Sequence, residues 1–273
     1  MRVILLMMLS SIIVSAAGVG KAPTSETQGS ATTQPASAPA TTQATQPAIS
    51  KELETILDEL EKKREQIKTL EATLKYQTHE LIPDVTKTQT GVLKYQAREK
   101  DSPVRFMIRF DELIQEDLRI THKEWFCFNG KVFREVREHT KTVRDYKVDR
   151  DEKEVDPFAL GEGPFPLPYG QKKSDMLKNF QITLVPPKED EVGTVHLALV
   201  PREGTPLARE YKQLDFWLDR KDYLPQRIVT ENRYDTVITV WFSDVKVNVK
   251  LSEKDLWKDQ PGNYSYEESN VQH

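Results

Sequence analysis

The sequence predicts an α+β, mainly β protein. Roughly ten or eleven short strands form one antiparallel sheet, curved around an apolar trough, with a helix and a loop over the open side. Three observations predict it. From about Leu74 onward, apolar and polar residues alternate with period two. The connections between alternating runs are short, which suits hairpins and leaves no room for crossover helices. One set of alternate positions is apolar along nearly every run, so one face of the sheet seeks cover and the other meets water.

The elements follow in chain order. "MRVILLMMLSSIIVSAAG", residues 1–18, has one Arg, an apolar run from Val3 to Val14, and small residues at Ser15, Ala16 and Ala17. It reads as a cleavable secretory signal, because the run is too short to span a bilayer. A membrane anchor is the alternative. No Cys stands near the cleavage point for lipid attachment. Residues 19–49 are rich in Thr, Ala, Pro, Gln and Ser and lack aromatics. Such a segment buries too little apolar area to offset its ordering entropy and is expected as a disordered linker. The folded domain is expected over residues 50–260, with 261–273 as a flexible C-terminal tail.

"SKELETILDELEKKREQIKTLEATLKY" is expected as a helix over 50–75. Ser50 suits the N-cap, and Glu52 and Glu54 suit the positive end of the macrodipole. Leu53, Ile56, Leu57, Leu60, Ile67, Leu70 and Leu74 mark an apolar stripe, interrupted at Arg64. An amphipathic helix packed on a sheet accounts for this better than a coiled coil.

The strands come next. "TGVLKYQAR" and "VRFMIRF" alternate cleanly, and "EWFCFNGKVFREV" reads as two strands around an Asn129-Gly130 turn. "HTKTVRDYKVDR" continues as a charged strand. "NFQITLV", "TVHLALV", "KQLDFWLD", "PQRIVTE" and "TVITVWFSDVKVNV" complete the series. The apolar face carries Phe106, Ile108, Phe110, Ile182, Leu184, Leu197, Leu199, Leu214, Phe216, Leu218, Ile238, Val240 and Phe242. Trp217 and Trp241 point to the other face, where packing under a loop is the favoured reading over docking a membrane.

Between the two groups of strands lies "DPFALGEGPFPLPYGQ", residues 156–171. Its prolines and glycines deny it ladder bonds, so Phe158, Leu160, Phe165 and Leu167 are expected to pack by side chains alone. With a short helix near "QKKSDMLKN", the loop is expected to form a lid over the trough; a fixed plug is the alternative.

Composition excludes some functions. The net charge is -4 and the pI near 5.9, so nucleic acid is not an expected partner. The single cysteine, Cys127, excludes an internal disulfide and reads as a buried structural thiol. The five histidines are far apart in sequence and show no H-E-x-x-H or H-x-H spacing. The acidic run "DRDEKEVD" lacks calcium-loop spacing. No nucleophile elbow or phosphate loop occurs. The expectation is therefore a protein that is not an enzyme and has no metal and no cofactor.

The ordered series of these pieces resembles a known family, the periplasmic outer-membrane lipoprotein carrier protein, LolA, and its relatives. The resemblance spans roughly residues 50–260. "LKYQTHEL" and "TKTQTGVLKYQAREKDSPVRFMIRF" look like the family's strand, Gly, strand, Pro and aromatic-rich strand. "FNGKVF" is similar to its Asp-Gly-Lys hairpin, and "DPFALG" falls where a proline-and-apolar segment precedes a short helix. "VHLALVPRE", "LDFWLDRKDYLPQRIVTENRYDTVITVWFSDVKVN" and "DLW" resemble its closing elements. The resemblance implies an incomplete antiparallel β-barrel with a helical and loop lid over an apolar cavity. It implies a periplasmic monomer that carries acylated lipoproteins or lipids from an inner-membrane release complex to an outer-membrane acceptor. The cavity residues would be Phe106, Ile108, Phe110, Leu199, Leu214, Phe216, Leu218, Ile238 and Val240. The chain departs from the family before Pro103. Ser102 stands where a basic residue commonly contributes to lid closure and release. The long linker and the charged strand at 140–154 are also unusual. A non-transport envelope sensor or partner-binding module of the same fold is the alternative.

Overall fold

The computed structural model describes residues 50–100, 102–116, 118–147 and 172–270. The expected signal, the linker, the acidic run and the loop with Phe158, Leu160, Phe165 and Leu167 lie outside the described residues.

Ser50 starts the first helix, α1 (Lys51–Gln66), by accepting the Leu53 amide on its Oγ at 3.1 Å. Leu53, Ile56, Leu57 and Leu60 are its buried face. The helix ends at Gln66, nine residues before the expected limit of 75. Ile67, Leu70 and Leu74 are buried as expected, but not on a helix. From Leu70 the buried residues are Leu70, Ala72, Leu74 and Tyr76, a period of two. Strand geometry prevails because β1 (Thr69–Glu80) is paired on both sides, to β2 (Val85–Gln96) and to β11 (Thr236–Val247). A double ladder plus tertiary burial overrides the helix propensity of "LEATLK".

The remaining strands are β3 (Arg105–Gln115), β4 (Leu118–Phe128), β5 (Val132–Arg137), β6 (Thr142–Lys147), β7 (Phe180–Val185), β8 (Thr194–Pro201), β9 (Tyr211–Asp219), β10 (Pro225–Asn232) and β12 (Ser265–Asn270). Three short helices accompany them: α2 (Lys173–Asn179), α3 (Leu207–Glu210) and α4 (Glu253–Leu256). Helix α2 is the short helix expected near "QKKSDMLKN". Among the described residues no helix is long and apolar enough to cross a membrane.

The twelve strands among the described residues belong to one sheet, in the order β12-β6-β5-β4-β3-β2-β1-β11-β10-β9-β8-β7. Strands β12 and β7 stand at its two ends, so the sheet is open rather than closed. The fold class is the expected one: mainly β, an incomplete barrel with a helix across its concave side, antiparallel except for one pair and with twelve described strands where ten or eleven are expected. The Asn129-Gly130 turn also forms. Asn129 Oδ1 accepts the amides of Lys131 and Val132, and Gly130 takes φ +91°.

Two further expectations need correction. The segment expected as a tail contains β12, which pairs parallel with β6. Ion pairs rather than apolar contacts accompany the pairing: Arg144 with Glu267 and Lys147 with Glu268, each at 2.7 Å. "SYEESN" carries no apolar pattern that marks it as a strand. The second correction concerns the outer face, which is not wet throughout. Met107, Trp125, Cys127, Val136 and Val143 form a second apolar cluster there, packed against Trp257 and Tyr264 of the C-terminal segment. Lys258 lies over the Trp125 ring at 4.6 Å and Arg134 over Trp257 at 4.5 Å. Cys127 is fully buried in this cluster, and burial pushes its thiol up to about 12.

Candidate functional site: the concave face of the sheet

The register stacks the apolar positions into one floor. Phe106 lies opposite Tyr95 and Phe128, and Ile108 opposite Leu93 and Phe126. Phe110 lies opposite Gly91 and Glu124. In the other half of the sheet, Leu199 faces Leu214, and Leu197, Phe216, Ile228 and Val240 form one row across four strands. Directly opposed residues in antiparallel strands share a face, so each row is a line of side chains in contact. The nine expected cavity residues, Phe106, Ile108, Phe110, Leu199, Leu214, Phe216, Leu218, Ile238 and Val240, all fall in one buried cluster with the α1 stripe. Aromatic rings bind the N-terminal half together: Phe106–Phe128 at 6.0 Å, Phe110–Phe126 at 6.1 Å, Phe126–Phe133 at 6.3 Å and Tyr76–Phe110 at 5.7 Å.

Helix α1 covers this floor, joined in the same buried cluster by Met176 of α2 and Leu207 of α3. It makes no ladder bonds, so apolar contact holds it down. Its ion pairs, Lys173 to Asp58 at 2.5 Å and Arg220 to Glu52 at 3.8 Å, are on exposed carboxylates and contribute little. Beside its C-terminal end lies a cleft of about 220 Å³, lined by Arg64, Glu65, Ile67, Lys68, Tyr95, Ala97, Arg98 and Val104. A cavity of about 150 Å³ holds one benzene. The cleft therefore admits only a short piece of an acyl chain unless α1 moves.

Toward the β3–β4 turn the same concave face becomes polar. His122 and Glu124 on β4 are followed by Phe126 and Phe128, and Arg137 and Glu135 of β5 lie opposite Glu124 and Phe126. Glu124 is 1% exposed and Glu135 2%. Arg137 Nε donates to Glu135 Oε1 at 2.6 Å and lies 3.6 Å from Glu124 Oε1. Gln89 Nε2 donates to Glu124 Oε2 at 3.3 Å. Burial works to raise the Glu124 carboxyl, but the His122 imidazole and the Arg137 guanidinium outweigh it and hold it below its ordinary value. For Glu135 burial wins and raises it. His139, in the turn between β5 and β6, is lowered by burial and by the neighbouring His122.

Sequence reasoning missed this polar end. The five histidines looked scattered, yet His122, Glu124 and His139 each offer a ligand atom within 4.8 Å of the others. The available signal was H-x-E at 122–124, two residues on one side of a strand.

The outer-face tryptophans pack, but chiefly against side chains of neighbouring strands rather than under a loop. Trp217 is sandwiched between His196, with ring centroids 4.0 Å apart, and Arg227 at 3.7 Å. Its Nε1 donates to Glu191 Oε1 at 2.7 Å. Trp241 lies under Lys75 at 4.7 Å. His196, on the outer face of β8, is buried and has its Nε2 2.8 Å from Asp215 Oδ1.

No family model matches the chain, and no curated protein matches it. Solved structures do. An uncharacterized conserved protein from Thermus thermophilus aligns over 80% of this chain and 100% of its own, at 13% identity and TM-score 0.46. MucB of Pseudomonas aeruginosa, solved in complex with MucA, aligns over 76% of this chain at 15% identity and TM-score 0.40; this chain spans 61% of its length. A LolA superfamily protein from Nitrosomonas europaea aligns over 75% of this chain and 97% of its own, at 10% identity and TM-score 0.36.

Proposed function

We propose that this protein is an exported, monomeric carrier that shields acyl chains of lipoproteins or related lipids on the concave face of its sheet. It moves them through the periplasm, from an inner-membrane release complex to an outer-membrane acceptor. One observation carries the reading: a continuous apolar floor on an open sheet, covered by a helix that takes no part in the ladder. Each acyl CH₂ left in water costs about 0.8 kcal/mol. A carrier therefore needs apolar area and a cover that opens. Lifting α1 breaks side-chain contacts but no strand pairing, so the floor is uncovered without loss of the sheet. The resemblance of the sequence over 50–260 to the lipoprotein-carrier family supports the same reading. Binding of this kind needs no nucleophile, metal or cofactor, and catalysis is not part of the proposal.

The test is photocrosslinking in the native host. A benzophenone side chain replaces Leu184, which is half-buried at the margin of the apolar floor, and in a control Val200, which is exposed on the outer face. Acylated N-terminal peptides of several envelope proteins captured at 184 and not at 200 are the expected result. A single free lipid class at 184 narrows the cargo to that lipid. No adduct at 184 from a folded, exported protein overturns the reading in favour of a partner-binding module whose core stays closed.

A further inference from the structure

We infer that His122, Glu124 and His139 form a binding site for one zinc-type divalent cation at the polar end of the concave face. His122 and Glu124 lie two residues apart on β4. His139 comes from the β5–β6 turn, which the pairing of Glu124 with Arg137 brings alongside. One ligand atom from each residue lies within 4.8 Å of the other two. The imidazoles of His122 and His139 have centroids 4.5 Å apart.

The carboxylate supplies a second, independent sign of a ligand. Glu124 is 1% exposed, and its Oε1 accepts no aligned hydrogen bond, although Arg137 Nε also lies 3.6 Å away. His122 Nε2 is only 3.0 Å from that oxygen, so the two atoms meet without the alignment that a hydrogen bond requires. A buried carboxylate oxygen without an aligned donor carries an uncompensated desolvation cost. A cation between the two atoms removes that cost and uses both lone pairs.

The donor set chooses the metal. Two imidazoles and one carboxylate suit Zn²⁺ and leave its fourth position open to water or a ligand. Calcium and magnesium prefer all-oxygen shells. Gln89, donating to the other carboxylate oxygen, is the kind of outer partner that orients a ligand. The local charges also accept a cation. Glu124, Glu135 and Arg137 together carry one excess negative charge, and Arg144 is engaged by Glu267. His122 and Glu124 are buried, while exposure of His139 gives the ion a way in. The occupied site ties the β5–β6 turn to the wall of the trough. The inference is independent of whether the trough carries lipid.

The test uses the full exported protein, stripped of metal with a chelator. Zn²⁺ is titrated by calorimetry and Co²⁺ by visible absorption. One equivalent should bind, with Co²⁺ giving the bands of a four-coordinate N/O site. His122→Ala, His139→Ala and Glu124→Gln should each weaken binding by about 100-fold or more. His79→Ala, far along β1, should leave it unchanged. Because His139 is an exposed turn residue, His139→Ala keeps the test open even if His122→Ala misfolds. No saturable binding, or binding that survives His139→Ala at full strength, overturns the inference.

Discussion

Leu57→Ala tests whether α1 is a lid. Leu57 is 1% exposed in the middle of the α1 stripe. At about 0.8 kcal/mol per carbon, the three carbons removed are worth about 2.4 kcal/mol, and the cavity raises the loss to about 3 kcal/mol. That is about a 100-fold change in any opening that breaks this contact. The truncation lowers global stability by the same amount, so rate alone does not identify a lid. The diagnostic is native-state hydrogen exchange in low urea. If α1 opens by itself, its amides exchange with a small urea dependence, because little surface is exposed. Those of β9 and β10 show the full dependence of global unfolding. Leu57→Ala should speed α1 exchange about 100-fold while preserving that difference, and should accelerate release of a bound acyl chain in parallel. If α1 amides in the wild type already exchange with the same free energy and urea dependence as β9 and β10, helix and sheet open together and the lid is wrong.

Two further perturbations address the frame of the site. A Cβ on Gly91 would sit 1.8 Å from the Arg109 carbonyl oxygen and 2.9 Å from the Phe110 Cα, at the bulge between β2 and β3. Gly91→Ala should therefore cost about 3 kcal/mol or more, read as a lower urea midpoint; an unchanged midpoint refutes the close approach. The second concerns acid. Lys94, at 2.5 Å, and Ser252 hold the Asp255 carboxyl well below the ordinary carboxylate range. A depressed folded value stabilises above the unfolded pKa of about 3.9, and that stabilisation is lost as pH falls through the folded value. The α4 segment should loosen as pH drops below about 4, seen as a change in Trp257 fluorescence, and Asp255→Asn should flatten that change. An identical acid profile in Asp255→Asn rules out this contact as the cause.

The strands of this fold were legible because burial on one face writes a period of two into the sequence. The same alternation picked out residues that fall in the buried cluster of the concave face. Ser50 marked the helix start through a local side-chain bond, which sequence can show. The helix end was not legible, since Ile67, Leu70 and Leu74 fit a helical stripe until β11 is known to pair with β1 from far along the chain. Strand β12 is held by charges across a parallel pair, and polar residues leave no periodic trace. The outer cluster around Cys127 was hidden because β4 is buried on both faces at "WFCF", which blurs the alternation. The polar end of the trough needs a turn residue to meet a strand, a juxtaposition created by register alone.

The strand order has a consequence for how the chain is assembled. From β1 outward the sheet grows by successive hairpins to β6, and from β11 it grows by hairpins back to β7. Among the described strands only two pairings join residues distant in sequence: β1 with β11, and β6 with β12. The molecule is thus two locally wound halves, and the C-terminal half holds the N-terminal one at both margins. Long loop closures of this kind slow folding far more than they reduce stability. Each half can wind as it emerges, but the trough has no continuous floor until β11 meets β1. A backbone cut between β6 and α2 severs no ladder among the described strands, so two fragments divided there retain every one of those pairings for recombination.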